Sequence, residues 1–298
     1  MINRVLIRTR VLQVAYAHLH RGELRLATAE QDLLLSLHRT YDLYLFLLQL
    51  IPSLTEFHRE VLEIRKKKHL ATKAERSPNL RLVENRLAAK LASSEKLSSW
   101  YEGFNLRWEE DESLLRHLLR RIEASEIYAH YLQAEESTFE LDRDFWVEIF
   151  HELFATDEEL AEMLEQNSIY WEDDLKCTEK AETEERPASE DEAVEQALAE
   201  ARQAGAYQSL RLENGPVEIV KDFVEKTLRK SEEENAFDDE IRPAFKDEDD
   251  ERFARMLFRQ TLLKYSEQMK LIEPVLSTEW SSERLADIDA LLLNLGLT

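Results

Sequence analysis

The sequence has few residues that interrupt helices and almost none that form disulfides or thiolate metal sites. Only 5 glycines and 6 prolines occur in 298 residues, of which 43% are hydrophobic and 34% are charged. Long periodic segments therefore follow one another with few turn signals, which predicts an all-α protein built as a helical bundle. Cys177 is the single cysteine, so an internal disulfide and a thiolate zinc site are both excluded.

A long hydrophobic run is also missing. No stretch reaches the roughly 18 consecutive apolar residues typical of a membrane-spanning helix, and the opening MINRVLIRTR has too short an apolar segment for a signal peptide. We therefore expect a soluble, cytoplasmic protein without a membrane partner.

The residue patterns of enzymes are absent as well. Glu148 and His151 have the Glu-x-x-His spacing of carboxylate-bridged di-iron sites, but those sites need two such motifs and only one is present. No nucleophile with a neighbouring base and no phosphate-binding loop is found. We expect no catalytic residues, no metal and no cofactor.

The net charge of −23 argues against a nucleic-acid partner when taken alone. The charge is unevenly distributed, however. Residues 1–130 carry 21 Lys and Arg against 17 Asp and Glu, whereas residues 131–298 carry 18 against 45. Any RNA-binding surface is therefore expected in the first half of the chain.

The first helix is predicted from Asn3 to His20. Arg4 and Arg8 lie one turn apart at the edge of its apolar face, while Arg10 is expected on the opposite side. An arginine in such a position either pairs with a buried acid or meets a phosphate. For Arg8 the candidate acids are Asp287 and Asp289.

A long second helix is predicted to begin at a capping box, Thr28 to Gln31, and a further helix to begin at Pro52. That further helix ends in the densest basic run of the chain: Arg65, Lys66, Lys67 and Lys68. Successive cations point around a helix, so this run is either a solvated helix end or a phosphate-binding patch.

The last helix is predicted from Trp280 to Thr298 and is apolar nearly all round after Asp289. Such a helix is expected in the middle of a core, with part of its surface uncovered if no chain follows it. By contrast, the stretch 177–216 is acidic and poor in large apolar residues, and we expect it to be a mobile segment.

Three segments resemble the transcription antitermination factor NusB family. Residues 4–16, with Arg8, Gln13 and Tyr16, resemble the Arg-rich opening helix of that family. The other two resemble its central helix and the helix before it: Arg284-Leu285-x-x-Ile288-Asp289-x-x-Leu292-Leu293-x-Leu295 and Phe253-Ala254-x-x-Leu257-Phe258-Arg259-Gln260-Thr261.

The resemblance implies an RNA-binding protein without catalytic activity. NusB proteins pair with the ribosomal protein NusE and bind the boxA sequence of nascent ribosomal RNA within the RNA polymerase antitermination complex. On this basis Arg4, Arg8, Arg10 and Tyr16 are the expected RNA contacts, although Tyr16 shares its stripe with core leucines and is also a candidate core residue.

The resemblance also divides the chain. Residues 1–24 and 250–298 would form a NusB-like core, which lacks the last helices of the family, and residues 25–249 would be a helical insertion. The acidic second half and those missing helices leave a second interpretation open, a helical protein-interaction adapter that does not bind RNA. Salt separates the two, because phosphate binding weakens steeply as salt rises.

Overall fold

The structure is a computed structural model that describes residues 2–21, 25–70, 72–171, 216–276 and 285–298. These residues form an all-α helical bundle, as predicted, and within them the β pairing is one isolated bridge between Ile2 and Phe245. The helices are α1 (Arg4–Arg21), α2 (Leu26–Lys66), α3 (Lys73–Arg76), α4 (Arg86–Ala92), α5 (Glu95–Gly103), α6 (Glu112–Ala124), α7 (Glu126–Gln133), α8 (Phe139–Ile149), α9 (Glu158–Asn167), α10 (Pro216–Arg229), α11 (Phe237–Glu240), α12 (Glu248–Leu263), α13 (Tyr265–Ile272) and α14 (Asp287–Leu297). None of these helices is both long and apolar enough to cross a lipid bilayer.

The helix at the centre of the bundle is α2. It contains 41 residues, and residues 43–48 are buried on every side. At about 1.5 Å per residue such a helix is roughly 60 Å long. Its first part packs against α1 and α12, and further along it packs against α10, α4 and α6.

The sequence predicted that one helix begins at Thr28 and another at Pro52, and both predictions are wrong. The N-cap is Arg25 rather than Thr28, and Pro52 lies inside the helix instead of opening a new one. A proline in a helix interior removes one backbone hydrogen bond. Here Leu48, Ile51 and Pro52 are all buried, and packing against the neighbouring helices keeps the helix continuous.

Residues 86–103 form two helices, α4 and α5, which meet at Ser93 and Ser94. The Ser94 hydroxyl accepts a hydrogen bond from the Leu97 backbone N–H at 3.1 Å and so caps α5, which ends at Gly103. Asp157 caps α9, because its side chain accepts a hydrogen bond from the Leu160 backbone N–H at 2.8 Å.

The core is one continuous hydrophobic cluster shared by the predicted NusB-like core and the predicted insertion. At its centre the rings of Phe46 and Trp108 stack with centroids 4.0 Å apart, and Trp171 lies 5.7 Å from Phe46. The indole N–H of Trp171 donates to the Arg39 carbonyl at 2.7 Å. The same cluster includes Leu6 and Phe258, so the two predicted parts of the chain are joined by packing within the described ranges.

The last helix, α14, is not in the middle of the core. It begins at Asp287, and the preceding residues 277–284 lie outside the described part. Its buried residues are Ala290, Leu291 and Asn294, which face α1, α12 and α13. The central position belongs to α2, so α14 packs at the edge with one side towards solvent, as expected for a helix that lacks full cover. The predicted mobile stretch 177–216 falls almost entirely outside the described residues.

Candidate functional site

The two opening arginines of α1 lie over one aromatic ring of α12. The guanidinium carbon of Arg4 is 4.7 Å from the centroid of Phe253, and that of Arg8 is 5.5 Å away. The Arg4 side chain is 58% exposed, and its Nε lies 3.5 Å from a carboxylate oxygen of Asp250. The periodicity of α1 places both arginines on the side that faces α12, so they share this ring while their charged ends remain in water.

Arg8 does not pair with either acid proposed from the sequence. Among the described residues no carboxylate oxygen lies within 4 Å of its guanidinium, whose Nη1 is 3.5 Å from the Arg4 carbonyl. Asp287 instead lies 3.2 Å from Nε2 of His20. The charge of Arg8 is therefore available to an anion from outside the described chain.

Arg8 stands at the edge of an open groove of about 370 Å³ between α1, α12 and α14. The groove is mainly apolar, with Gln260 and Thr298 as its uncharged polar groups; its other members are Phe253, Met256, Leu257, Leu292, Leu295 and Gly296. An apolar floor beside two cations can accept a ligand that carries both an anionic group and an apolar or aromatic surface.

Arg10 is not on the outer side of α1. The residue is 3% exposed, and its guanidinium donates to Thr40 on α2 at 3.1 Å and to the Tyr170 carbonyl. Gln13, one turn further along α1, also accepts from it at 3.0 Å. The prediction that Arg10 contacts RNA is therefore at odds with its position, because its donors are used inside the bundle.

Tyr16 is partly buried and packs against the hydrophobic core. Its ring centroid lies 4.1 Å from that of His20 on the same helix. This environment agrees with the core interpretation of Tyr16 rather than with a base-stacking role.

The basic run at the end of α2 is surrounded by acids. Each cation has a carboxylate partner, at these N–O distances: Arg65 with Glu123 at 2.7 Å, Lys66 with Glu63 at 3.7 Å, Lys67 with Glu63 at 4.0 Å and Lys68 with Glu75 at 3.3 Å. This pattern agrees with a solvated helix end, and it makes the run a weaker phosphate-binding candidate than Arg4 and Arg8.

The groove itself was not predicted from the sequence. Phe253, Met256 and Gln260 follow helical spacing, which would have predicted a shared face of α12. Nothing in the sequence indicated that this face would meet α1 and α14 without being covered, because that depends on the packing of segments about 250 residues apart.

A second, polar pocket of about 440 Å³ lies between α4 and the residues around α11. Its charged groups are matched within the protein. The ammonium of Lys90, for example, lies 2.7 Å from Glu240 and 3.0 Å from the Ser231 hydroxyl. This polar pocket therefore offers no unmatched charge to a ligand.

The described residues contain no group of three or more His, Cys, Asp and Glu side chains placed to hold a metal ion. Comparisons with protein-family models, with curated proteins and with solved structures find no match to this chain.

Proposed function

We propose that the protein is a transcription antitermination factor of the NusB type, which binds boxA-type ribosomal RNA together with the ribosomal protein NusE in the RNA polymerase antitermination complex. Three segments of the sequence support this through their resemblance to the family. The observation that carries the RNA-binding part is the exposed pair Arg4 and Arg8 above Phe253, beside the open groove.

In this proposal the two guanidinium groups hold the phosphates of single-stranded RNA. Arginine donates charge-assisted hydrogen bonds to phosphate oxygens, and its planar group also stacks on bases. Arg8 has no carboxylate to displace within the described residues, whereas Arg4 would exchange its long contact with Asp250 for a phosphate. The apolar groove next to Arg8 would then receive an unstacked base against Phe253 and Leu257.

The test is the binding of a fluorescein-labelled, single-stranded boxA-like RNA, measured by anisotropy at two salt concentrations with and without NusE. We expect salt-sensitive binding that strengthens with NusE and weakens about 10-fold in Arg8→Ala, the loss of one charged contact. Arg120→Ala, which removes an exposed arginine on α6, is the matched control and should bind like the parent. Absence of RNA binding by a protein shown to be folded would refute the proposal.

The second candidate is a helical protein-interaction adapter that does not bind RNA. The observation in its favour is the exposed apolar surface of α14, where Leu292, Leu293 and Leu297 are 47%, 43% and 55% exposed. Exposed apolar patches of this kind often mark protein-binding surfaces. A folded protein that does not bind RNA, but binds a protein partner with an affinity that salt leaves unchanged, would favour the adapter.

A further inference from the structure

A further arginine lies over an aromatic ring outside the site described above. The guanidinium carbon of Arg242 is 5.4 Å from the ring centroid of Phe223 on α10, and both residues are partly exposed. Within the described ranges no carboxylate oxygen lies within 4 Å of this guanidinium. Asp222, which precedes Phe223 on α10, pairs with Lys226 at 2.6 Å instead. The charge of Arg242 is therefore available to an external anion, as that of Arg8 is.

Hydrogen bonds to the backbone hold Arg242 in place. Its carbonyl accepts from the Tyr41 hydroxyl at 2.9 Å, and its N–H donates to the Tyr44 hydroxyl at 3.2 Å. The Tyr44 hydroxyl also shares a hydrogen bond of 2.9 Å with Thr227, one turn after Phe223 on α10. One buried hydroxyl therefore fixes the backbone of Arg242 relative to the helix that carries Phe223. A side chain positioned in this way loses less freedom when a ligand binds.

A short backbone link joins Arg242 to the opening arginines. The N–H of Ile2 donates to the Ala244 carbonyl at 2.7 Å, and Ala244 lies two residues after Arg242, while Arg4 lies two residues after Ile2. Successive Cα atoms are about 3.8 Å apart along the chain and about 5 Å apart across such a pair, so the Cα atoms of Arg4 and Arg242 are at most roughly 20 Å apart. A nucleic-acid strand carries one phosphate per about 3.4 Å when stacked, so about six nucleotides cover this distance.

We propose that Arg242 is a further phosphate contact for the single strand of RNA that Arg4 and Arg8 hold, a step that rests on the proposed function. Arginine donates charge-assisted hydrogen bonds to phosphate oxygens, and a base can stack on its planar group. The ring of Phe223 supports the guanidinium without a competing carboxylate. The strand then runs from α1 across residues 241–247 to α10, so the predicted core and the predicted insertion bind the RNA together.

The test is an anisotropy titration of the full chain with a labelled boxA-like RNA of about 12 nucleotides, twice the span above, at four salt concentrations. Arg242→Ala should weaken binding about 10-fold and lower the slope of log affinity against log salt by about 0.7. Arg242→Lys keeps the charge but not the planar group, so it should weaken binding less and keep the slope of the parent.

Arg107→Ala is the matched control. Arg107, between α5 and α6, is also partly exposed, and its guanidinium carbon lies 4.5 Å from the ring centroid of Tyr101. No carboxylate within the described part of the chain pairs with it either, but it belongs to neither contact. This variant should bind RNA like the parent.

The double variant of Arg8→Ala and Arg242→Ala should lower the slope by about 1.4, because two contacts to one strand are lost. Circular dichroism and urea denaturation show whether each variant is folded; a purely structural role of Arg242 would change stability and leave the slope unchanged. If Arg8→Ala weakens binding while Arg242→Ala keeps the slope of the parent, this contact is overturned and the proposed function stands. A folded parent that binds no RNA at any salt concentration refutes the proposed function, and this contact with it.

Discussion

Nε of Arg259 lies 2.7 Å from a carboxylate oxygen of Glu30, and this bond joins α12 to the first turns of α2. Arg255, one turn before Arg259, donates to the other oxygen of Glu30 at 2.8 Å. The carboxylate is buried, with a side chain that is 7% exposed, while both arginines reach solvent. The contact crosses the boundary expected between the NusB-like core and its insertion, so the two depend on each other for stability.

Glu30→Gln should destabilise the protein at neutral pH. Burial raises the pKa of Glu30, but the hydrogen bonds and charges of Arg255 and Arg259 outweigh it and hold the pKa below its ordinary value. The carboxylate therefore contributes stability at pH 7, which is lost as pH falls through the lowered folded-state pKa. We expect a loss of about 1–2 kcal/mol in urea denaturation at pH 7, and a smaller difference from the parent near pH 3.

The control for this prediction is Asp249→Asn. Asp249 also pairs with an arginine of α12, Arg252, but both side chains are more than 70% exposed. Exposed pairs contribute little, so this variant should stay within about 0.5 kcal/mol of the parent. Equal losses in both variants would show that burial of Glu30 has no special role.

Substitution by methionine should destabilise the protein strongly at Arg10 and hardly at all at Arg8. Arg10→Met removes the donors to Thr40 and to the Tyr170 carbonyl from the interior, and we expect a loss of about 2–4 kcal/mol in the free energy of unfolding. Arg8→Met removes an exposed cation and should change it by less than about 0.5 kcal/mol. Chemical denaturation followed by circular dichroism measures both, and a large loss in Arg8→Met would make Arg8 a structural residue.

Phe253 and Arg8 should affect RNA binding in distinguishable ways. Arg8→Ala removes a phosphate contact, which lowers the slope of log affinity against log salt by about 0.7 for single-stranded RNA. Phe253→Leu removes an aromatic surface without changing charge, so affinity should fall about 5–10-fold with the slope unchanged. Anisotropy titrations at four salt concentrations give both quantities. A changed slope in Phe253→Leu would show that the ring acts by positioning the arginines.

Asp157 should stabilise the junction of α6 and α9 through its charge as well as through its cap. Burial raises its pKa, but hydrogen bonds from the Leu160 N–H, Arg121 and His117 outweigh this and leave the pKa below its ordinary value. Asp157→Asn keeps an oxygen for the Leu160 N–H and removes the charge, and Asp157→Ala removes both.

At pH 7 we expect Asp157→Asn to cost about 1–2 kcal/mol and Asp157→Ala about 1 kcal/mol more, the usual contribution of an N-cap. The Asn variant should approach the parent as pH falls through the lowered pKa, because protonation removes the same charge from the parent. Thermal denaturation between pH 3 and pH 7 tests this, and a difference that does not change with pH would mean that the charge contributes nothing.

Tyr131 should be a stabilising member of a buried polar cluster. Its hydroxyl donates to Asp142 at 2.6 Å and accepts from the Asn85 amide at 3.1 Å. Burial, followed by the neighbouring Asp142 carboxylate, raises the pKa of Tyr131. Tyr131→Phe should cost about 1–3 kcal/mol, because it leaves a buried carboxylate short of a donor.

Tyr128 provides the comparison for Tyr131. Burial raises the pKa of Tyr128 to about 12, and its side chain is buried to a similar degree. Within the described part of the chain no hydrogen bond to a buried carboxylate holds its hydroxyl, so Tyr128→Phe should cost less than Tyr131→Phe. Spectrophotometric titration of Tyr131→Phe should also lose one phenol that ionises above its ordinary pH. Equal stability losses would contradict a special role for the Asp142 bond.

Several features could be predicted from the sequence because they depend on local chemistry. The scarcity of glycine and proline indicated helices, and the spacing of Arg4 and Arg8 placed them on one edge of α1. These outcomes follow from backbone geometry within one or two turns, which needs no information about distant segments.

Tertiary contacts decided the remainder. Arg10 was expected in solvent, but Tyr170, 160 positions away, supplies a carbonyl that its guanidinium reaches in the interior. The apolar run of α14 indicated a central helix, yet α2 occupies the centre, and α14 is left with exposed leucines beside Arg8. By itself the sequence determined the helical class, the faces of individual helices and the position of the opening arginines. Long-range packing decided which helix faces meet, which cations are neutralised and where a groove stays open, because burial is set by all the surrounding segments together.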